Sequence, residues 1–202
     1  EIITRHSVIT IEDDGPIDGL RNLPLPLAHF APDNVIYVTG LSKSVSPAMR
    51  VGYLVSPPKL FDQLGTKLHA LTLANPPLMA EVATSLINEG TAETIAQRNL
   101  EALAARHEMM SRRLKNVPHS SHPAAFFIWV HLPDHWTSLE YFEAARRAGV
   151  STVPADNFMI RPGAKPAVRI SVNPWQKPEL VKKGIDILTD LMAEWNAPPM
   201  MV

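Results

Sequence analysis

The sequence predicts an α/β unit that passes into a smaller α+β unit. Three observations carry this reading. Short β-rich runs that end in acidic or polar turns fill residues 7–55. Amphipathic helical patterns then extend from Pro58 to Leu114. Beyond Pro118, strands and helices alternate again at short spacing. The switch of hydrophobic period between two and 3.6 separates a sheet covered by helices from a helical bundle.

The elements follow in order. Ser7 to Ile11 is β-rich and leads into Glu12, Asp13 and Asp14, so a buried strand with carboxylates at its C-terminal end is expected. Gly15 to Pro32 is rich in Pro and Leu and is expected to be a loop. Val35 to Thr39 reads as a second strand, Gly40 to Pro47 as a polar turn, and Arg50 to Val55 as a third strand stopped by Ser56-Pro57-Pro58. A helix is expected over Pro58–Leu71, with Leu60, Phe61, Leu64, Leu68 and Leu71 near helical spacing. Another covers Pro77–Asn88 and ends at Glu89-Gly90. Ala92–Leu114 reads as one long helix. At roughly 1.5 Å per residue it spans about 35 Å, enough to bridge two domains. The boundary is expected inside or just after it, near residues 100–118, and is set at 105/106. Then come a strand over Ala125–Leu132 and a helix over Ser138–Ala148, with Ser138 as N-cap and Gly149 as the stop. Short strands over Val150–Val153 and Ala167–Val172 and an amphipathic helix over Pro178–Trp195 complete the chain.

Composition excludes several classes of function. With 46% hydrophobic and 19% charged residues, the chain of 202 residues is globular rather than disordered. A net charge of -1 offers no broad basic field for nucleic acid or anionic lipid. Apolar runs such as Ala124–Val130 are too short to span a bilayer. There are no cysteines, hence no disulfides or thiolate metal sites, which is compatible with a reducing cytoplasm. The chain starts at Glu1 and enters an apolar run directly, without a signal peptide, so it is expected to be a piece of a longer protein. His131 and His135 have the spacing of helical zinc ligands, but Leu132-Pro133 breaks any helix that would align them, and no metal site is expected.

Three strings carry chemistry. The first is Ser42-Lys43-Ser44-Val45-Ser46-Pro47-Ala48-Met49-Arg50-Val51-Gly52-Tyr53. It puts a lysine in a tight turn after one strand and an arginine at the start of the next. A lysine that attacks an aldehyde at neutral pH must be fixed in place and lose its proton readily, which a neighbouring cation favours. An arginine fork can also hold a phosphate bidentately. A bare Lys-x6-Arg spacing would be an ordinary solvated loop; the full string is far more specific. The second is Glu12-Asp13-Asp14 at an expected strand end, where open α/β sheets place functional groups. Alone it reads more readily as an acidic turn. The third is Ala167-Val168-Arg169-Ile170-Ser171. An arginine within an apolar strand is costly without an anion partner, unless it faces water from an edge strand.

The first string resembles the signature of fold-type I pyridoxal-phosphate (PLP) aminotransferases, Ser-Lys-x3-Pro-x2-Arg-x-Gly-Tyr, over twelve contiguous positions. The resemblance implies that Lys43 forms the Schiff base and that Arg50, with Ser42, binds the cofactor phosphate. It implies that Asp13 pairs with the pyridine nitrogen and that Arg169 binds the substrate α-carboxylate. The family usually carries Ser or Thr three residues before the lysine, where this chain has Gly40, and a Tyr shortly after the aspartate, where it has Gly15, Pro16 and Ile17. The implied fold is part of a three-layer α/β/α large domain in residues 1–105, followed by an α+β small domain in residues 106–202. The other wall of the site would lie in an N-terminal half outside this chain.

Looser strings resemble the aminotransferase-like domain of MocR-type, GntR-family transcriptional regulators. These are His6 ahead of Glu12-Asp13-Asp14, Met79–Ala83 with Glu89-Gly90-Thr91, Phe127–Pro133, and Val153–Phe158. In that branch a winged helix-turn-helix binds DNA and the PLP domain senses an amino-acid or amine ligand. DNA would then be contacted only through a domain absent from this chain, in a cytoplasmic homodimer with no membrane association. The other reading is the C-terminal part of a stand-alone class I/II aminotransferase acting on an amino acid and a 2-oxo acid. A scaffold without PLP is a third.

Overall fold

The computed structural model describes residues 1–14, 24–73, 76–160, 163 and 165–193. Gly15, Pro16, Ile17 and the segment Trp195–Val202 lie outside these. The chain divides into two compact units, residues 1–100 and 101–202, and the division falls inside one continuous helix. Among the described residues, no helix is long and apolar enough to cross a membrane.

The first unit is built on a three-stranded sheet of β1 (Thr10–Asp13), β2 (Val35–Gly40) and β3 (Gly52–Val55), in that spatial order. β1 and β2 are parallel, with Asp13 opposite Val38; β2 and β3 are antiparallel, with Gly40 opposite Gly52. Helix α1 (Ile2–Arg5) precedes the sheet, and α2 (Leu27–Phe30) forms within the expected Pro/Leu-rich loop. α3 (Leu41–Ser44) follows β2 without a break. After β3 come a 3-10 turn over Pro58–Leu60, α4 (Phe61–Thr72), α5 (Pro77–Asn88) and the start of α6 (Thr91–Arg113).

Two expectations need correction here. The first strand runs Thr10–Asp13, not Ser7–Ile11. Ser7 closes the turn after α1 in a left-handed conformation, φ 52°, and Thr10 is the first residue whose N–H reaches across, to the Asn34 carbonyl at 2.9 Å. The polar turn at 40–47 is instead a full helical turn, α3, followed by a 3-10 turn over Pro47–Met49. Leu41, Val45 and Met49 recur every fourth residue and are buried together against Ala83 of α5 and Ala92 of α6. The apolar face expected of the following helix exists, but Phe61, Leu68 and Leu71 are exposed on α4.

The second unit closes around an antiparallel sheet in the order β4 (His119–Ser120), β5 (Phe127–His131), β7 (Ala167–Ser171), β6 (Val153–Pro154). Ile128, Val130, Val168 and Ile170 form one core with Leu103 and Met110 of α6, Leu114 just after it, Tyr141 of α7 (Ser138–Arg147), and Ile185 and Leu188 of α8 (Pro178–Ala193). Burial of each such aliphatic side chain contributes about 1.5–3 kcal/mol. The Tyr141 hydroxyl donates to the Leu188 carbonyl at 2.7 Å, so its only polar group is satisfied inside that core.

The N-cap of α7 is Thr137, not Ser138. Thr137 Oγ1 accepts from the Glu140 N–H, and the Glu140 carboxylate accepts in return from the Thr137 N–H and hydroxyl. Those bonds hold the Glu140 carboxyl below its usual range. The Ser138 hydroxyl instead accepts from the Ala167 N–H at 3.0 Å, tying α7 to the start of β7. Gly149 does end the helix, at φ 84°. The short strand after it is Val153–Pro154 rather than Val150–Val153.

Candidate active site

The end of β2 delivers the lysine. Gly40 passes straight into the single turn of α3, whose inner side is anchored by buried Leu41 and Val45, leaving Lys43 exposed on the outer side. One turn of helix leaves its last carbonyls without intrahelical partners. The Asn99 side chain, arriving from α6, donates its amide N–H to the Ser44 carbonyl at 2.8 Å and ties the turn down. Ser46 then caps the 3-10 turn by accepting from the Ala48 N–H at 3.3 Å. That turn ends on Arg50 in the left-handed region, φ 53°, ψ 26°. For a residue with a Cβ this conformation costs about 1–2 kcal/mol. Strain of this kind persists where the surroundings impose it, most often at functional positions.

These elements surround a cavity of about 360 Å³ lined by Asp13, Ser42, Lys43 and Arg50, together with Val38, Thr39, Gly40, Val51 and Gly52. The four residues expected to hold the cofactor therefore come together at one place. Arg169 lies in the other unit.

The acidic triplet resolves into three roles. Glu12 accepts from the Leu27 and Ala28 N–H groups at 2.8 and 3.0 Å, and so caps α2. Asp14 accepts from the Tyr37 hydroxyl at 2.7 Å. Asp13 is the member that lines the cavity, on the sheet face shared with Val38. Two of the three carboxylates are thus structural. The sequence could not tell them apart, because the α2 turn that engages Glu12 carries no apolar period of its own.

Gly40 is where the chain departs from the family string, and the sheet explains it. Gly40 and Gly52 face each other across β2 and β3. A Cβ on Gly40 would lie 3.0 Å from the Val51 carbonyl oxygen and 3.3 Å from the Gly52 Cα. A hydroxyl-bearing residue fits there only if β3 moves. Thr39 does not replace it. Strand alternation puts its side chain on the face opposite Val38 and Asp13, and its Oγ1 is buried with no hydrogen-bond partner among the described residues. Ser42 is the hydroxyl beside Lys43 at the cavity. The donor set suits a phosphorylated pyridine carbonyl compound: a carboxylate, an amine, a hydroxyl and a guanidinium around a floor of two facing glycines.

Arg169 lies in β7, an interior strand flanked by β5 and β6, with Trp129 and Val153 as its cross-strand neighbours. That position removes the bland alternative of an edge-strand arginine facing water. Its Cζ lies 4.9 Å from the Phe158 ring centroid and 5.7 Å from that of Phe127, with both rings facing it. Among the described residues no carboxylate pairs with it, and its Nε is buried without a hydrogen-bond partner. Sequence reasoning missed Asn99, Phe127 and Phe158; each acts across a distance in the chain that no local spacing encodes.

Known proteins give a consistent placement. The aminotransferase class I and II family model matches residues 2–188. An uncharacterized HTH-type transcriptional regulator of Bacillus subtilis, YdeF, is 29% identical over 95% of this chain and 42% of its own length. The 2-aminoadipate transaminase of Thermus thermophilus is 26% identical over 85% of this chain and 46% of its own. Among solved structures, kynurenine aminotransferase of Pyrococcus horikoshii superposes with a TM-score of 0.80 at 23% identity, over 95% of this chain and 49% of that one. The α-aminoadipate aminotransferase LysN of T. thermophilus gives 0.79 at 24% identity, over 95% and 51%. The chain spans about half the length of the curated relatives it matches. With a family match across nearly its whole length and the fold-type I aminotransferase fold, the chain belongs to the aminotransferase class I and II family.

Proposed function

We propose that this chain is the PLP-binding, aminotransferase-like effector domain of a GntR/MocR-type transcriptional regulator. The observation that supports the cofactor is the single cavity shared by Asp13, Ser42, Lys43 and Arg50. When bound, PLP supplies a carbonyl that condenses with amines and a ring that withdraws electrons. This chain supplies one wall of the site. Lys43 Nζ is the amine held at the cavity by α3, and the group that accepts or returns a proton beside it. The Asp13 carboxylate holds a proton on the pyridine nitrogen. Arg50, fixed by its left-handed backbone, would hold the phosphate, with the Ser42 hydroxyl as a further donor. Arg169 receives the carboxylate of the amino-acid ligand. In this reading residues 1–105 are the C-terminal part of the large domain, residues 106–202 are the small domain, and the full protein is a cytoplasmic homodimer.

Borohydride reduction of the PLP-loaded full-length protein, followed by peptide mapping, should place the pyridoxyl group on Lys43. A label on Lys59 or Lys67 instead would overturn the assignment. The regulator reading is favoured by the B. subtilis relative, which matches 95% of this chain. A stand-alone transaminase is the second reading, favoured by the T. thermophilus enzyme, which matches 85%. Specific DNA binding by the full-length protein, modulated by an amino compound without turnover, supports the first; steady conversion of an amino acid and a 2-oxo acid supports the second.

A further inference from the structure

A cation at the centre of an apolar sheet has to be compensated. Ordinarily a neighbouring carboxylate does this, and then the guanidinium is already occupied. Arg169 is different: among the described residues no carboxylate pairs with it. What faces its Cζ instead are two phenyl rings from separate elements. Phe158, in the 3-10 turn Ala155–Phe158, is centred 4.9 Å away, and Phe127, on β5, 5.7 Å away. Both distances lie within the range in which a ring quadrupole attracts a cation. Trp129, the cross-strand neighbour of Arg169, meets Phe158 edge-on at 5.6 Å and 72° and so buttresses that ring. Phe127 and Phe158 are each 46% exposed, so neither ring is explained by core packing alone.

We propose that Phe127 and Phe158 are positioning residues that hold the Arg169 guanidinium through their ring faces and keep it available for a ligand carboxylate. The chemistry favours this arrangement. A ring face stabilises the cation without consuming an N–H donor, so the guanidinium stays ordered while its outer donors remain free for an anion. A protein carboxylate in the same place would order the side chain but compete with the ligand. The inference rests on the reading of Arg169 as the carboxylate anchor.

The test uses the full-length protein, phenylglyoxal as an arginine-specific reagent, and propionate as the carboxylate probe. Modification of the peptide containing Arg169 is followed by mass spectrometry. Propionate should protect Arg169 in the parent protein. Phe158→Leu and Phe127→Leu should each raise the propionate concentration needed for half-protection by about two- to fivefold, the equivalent of one partly exposed cation–π contact. Phe158→Tyr should restore parental behaviour. A fluorinated phenyl ring at Phe158, which keeps the shape and weakens the π face, should behave like the Leu variant even if that variant folds poorly. If propionate protects the parent but the Leu and fluorinated variants match it, the rings do not position Arg169 and the proposal is overturned alone. If propionate fails to protect even the parent, Arg169 is no carboxylate anchor, and both readings go together.

Discussion

The two units are nearly equal in length and treat their apolar side chains in opposite ways. In residues 101–202, Leu103, Leu114, Ile128, Val130, Val168 and Leu188 are fully buried in one shared core. In residues 1–100 the cluster beneath the lysine turn is small, built from Leu41, Val45, Met49, Ala83 and Ala92. Around it Ile11, Val55, Phe61, Leu71, Leu73 and Leu78 are each 60% exposed or more. The lesson concerns division of labour: the second unit buries a large core of its own and presents Arg169, while the first carries Asp13, Lys43 and Arg50 on a sheet backed by a small core.

The largest expected effect separates the two units directly. Leu188→Ala should destabilise the chain by about 2–5 kcal/mol, as for a fully buried leucine. Phe61→Ala, at a position 69% exposed, should change stability by no more than about 0.5 kcal/mol. Denaturant titration of both variants checks this, and equal losses would erase the contrast. Within the second core, Tyr141→Phe removes only the hydroxyl that donates to Leu188 and should cost about 0.5–1.5 kcal/mol by the same measurement.

Arg50 gives a smaller effect, of opposite sense to the usual glycine penalty. Because φ at Arg50 is 53°, Arg50→Gly should be more stable than Arg50→Ala by about 1 kcal/mol, although both lose the guanidinium. If alanine is the more stable, the left-handed backbone is not imposed by the fold.

The smallest effect is a pH dependence confined to the second unit. His107 is buried, and one ring nitrogen lies 2.6 Å from the Ala125 carbonyl; burial lowers its pKa, with the His122 charge adding slightly in the same direction and the Ala125 bond opposing. The unfolded chain therefore binds a proton more readily than the folded one. The associated stability is present above the ordinary histidine pKa of about 6.5 and is lost as pH falls from there through the lowered folded value. Denaturation midpoints measured from pH 7.5 down to about 5 should decline, and His107→Gln should flatten that decline. An unchanged slope would place the responsible group elsewhere.

What was legible in the sequence was local or periodic. Lys43 and Arg50 stand out because the family string is contiguous, and the long helix α6 because its apolar residues keep helical spacing. The N-cap of α7 falls on Thr137 rather than the expected Ser138, an equally good capping residue type by composition, and only the Glu140 three positions on distinguishes the two. The start of β1 was misplaced because a left-handed serine leaves no mark on composition. Periodicity showed that residues 58–71 are helical and could not show that Phe61 and Leu71 face outward. The hold of Asn99 on the lysine turn spans 55 positions, and the rings around Arg169 converge from different elements; such contacts exist only once the chain has folded.

The contrast between the units is tested most directly by titrating PLP into this 202-residue chain and into the full-length protein, each beside its Lys43→Ala variant. Holding an aldehyde against an amine in the right orientation can be worth about 7–11 kcal/mol, and that needs both walls of a site. The full-length protein should develop Lys43-dependent cofactor absorbance at micromolar PLP, whereas the 202-residue chain should react hardly better than its Lys43→Ala variant. A micromolar, Lys43-dependent signal from the 202-residue chain alone would mean that Asp13, Lys43 and Arg50 already form a complete site, and the exposed face of the first unit would need another explanation.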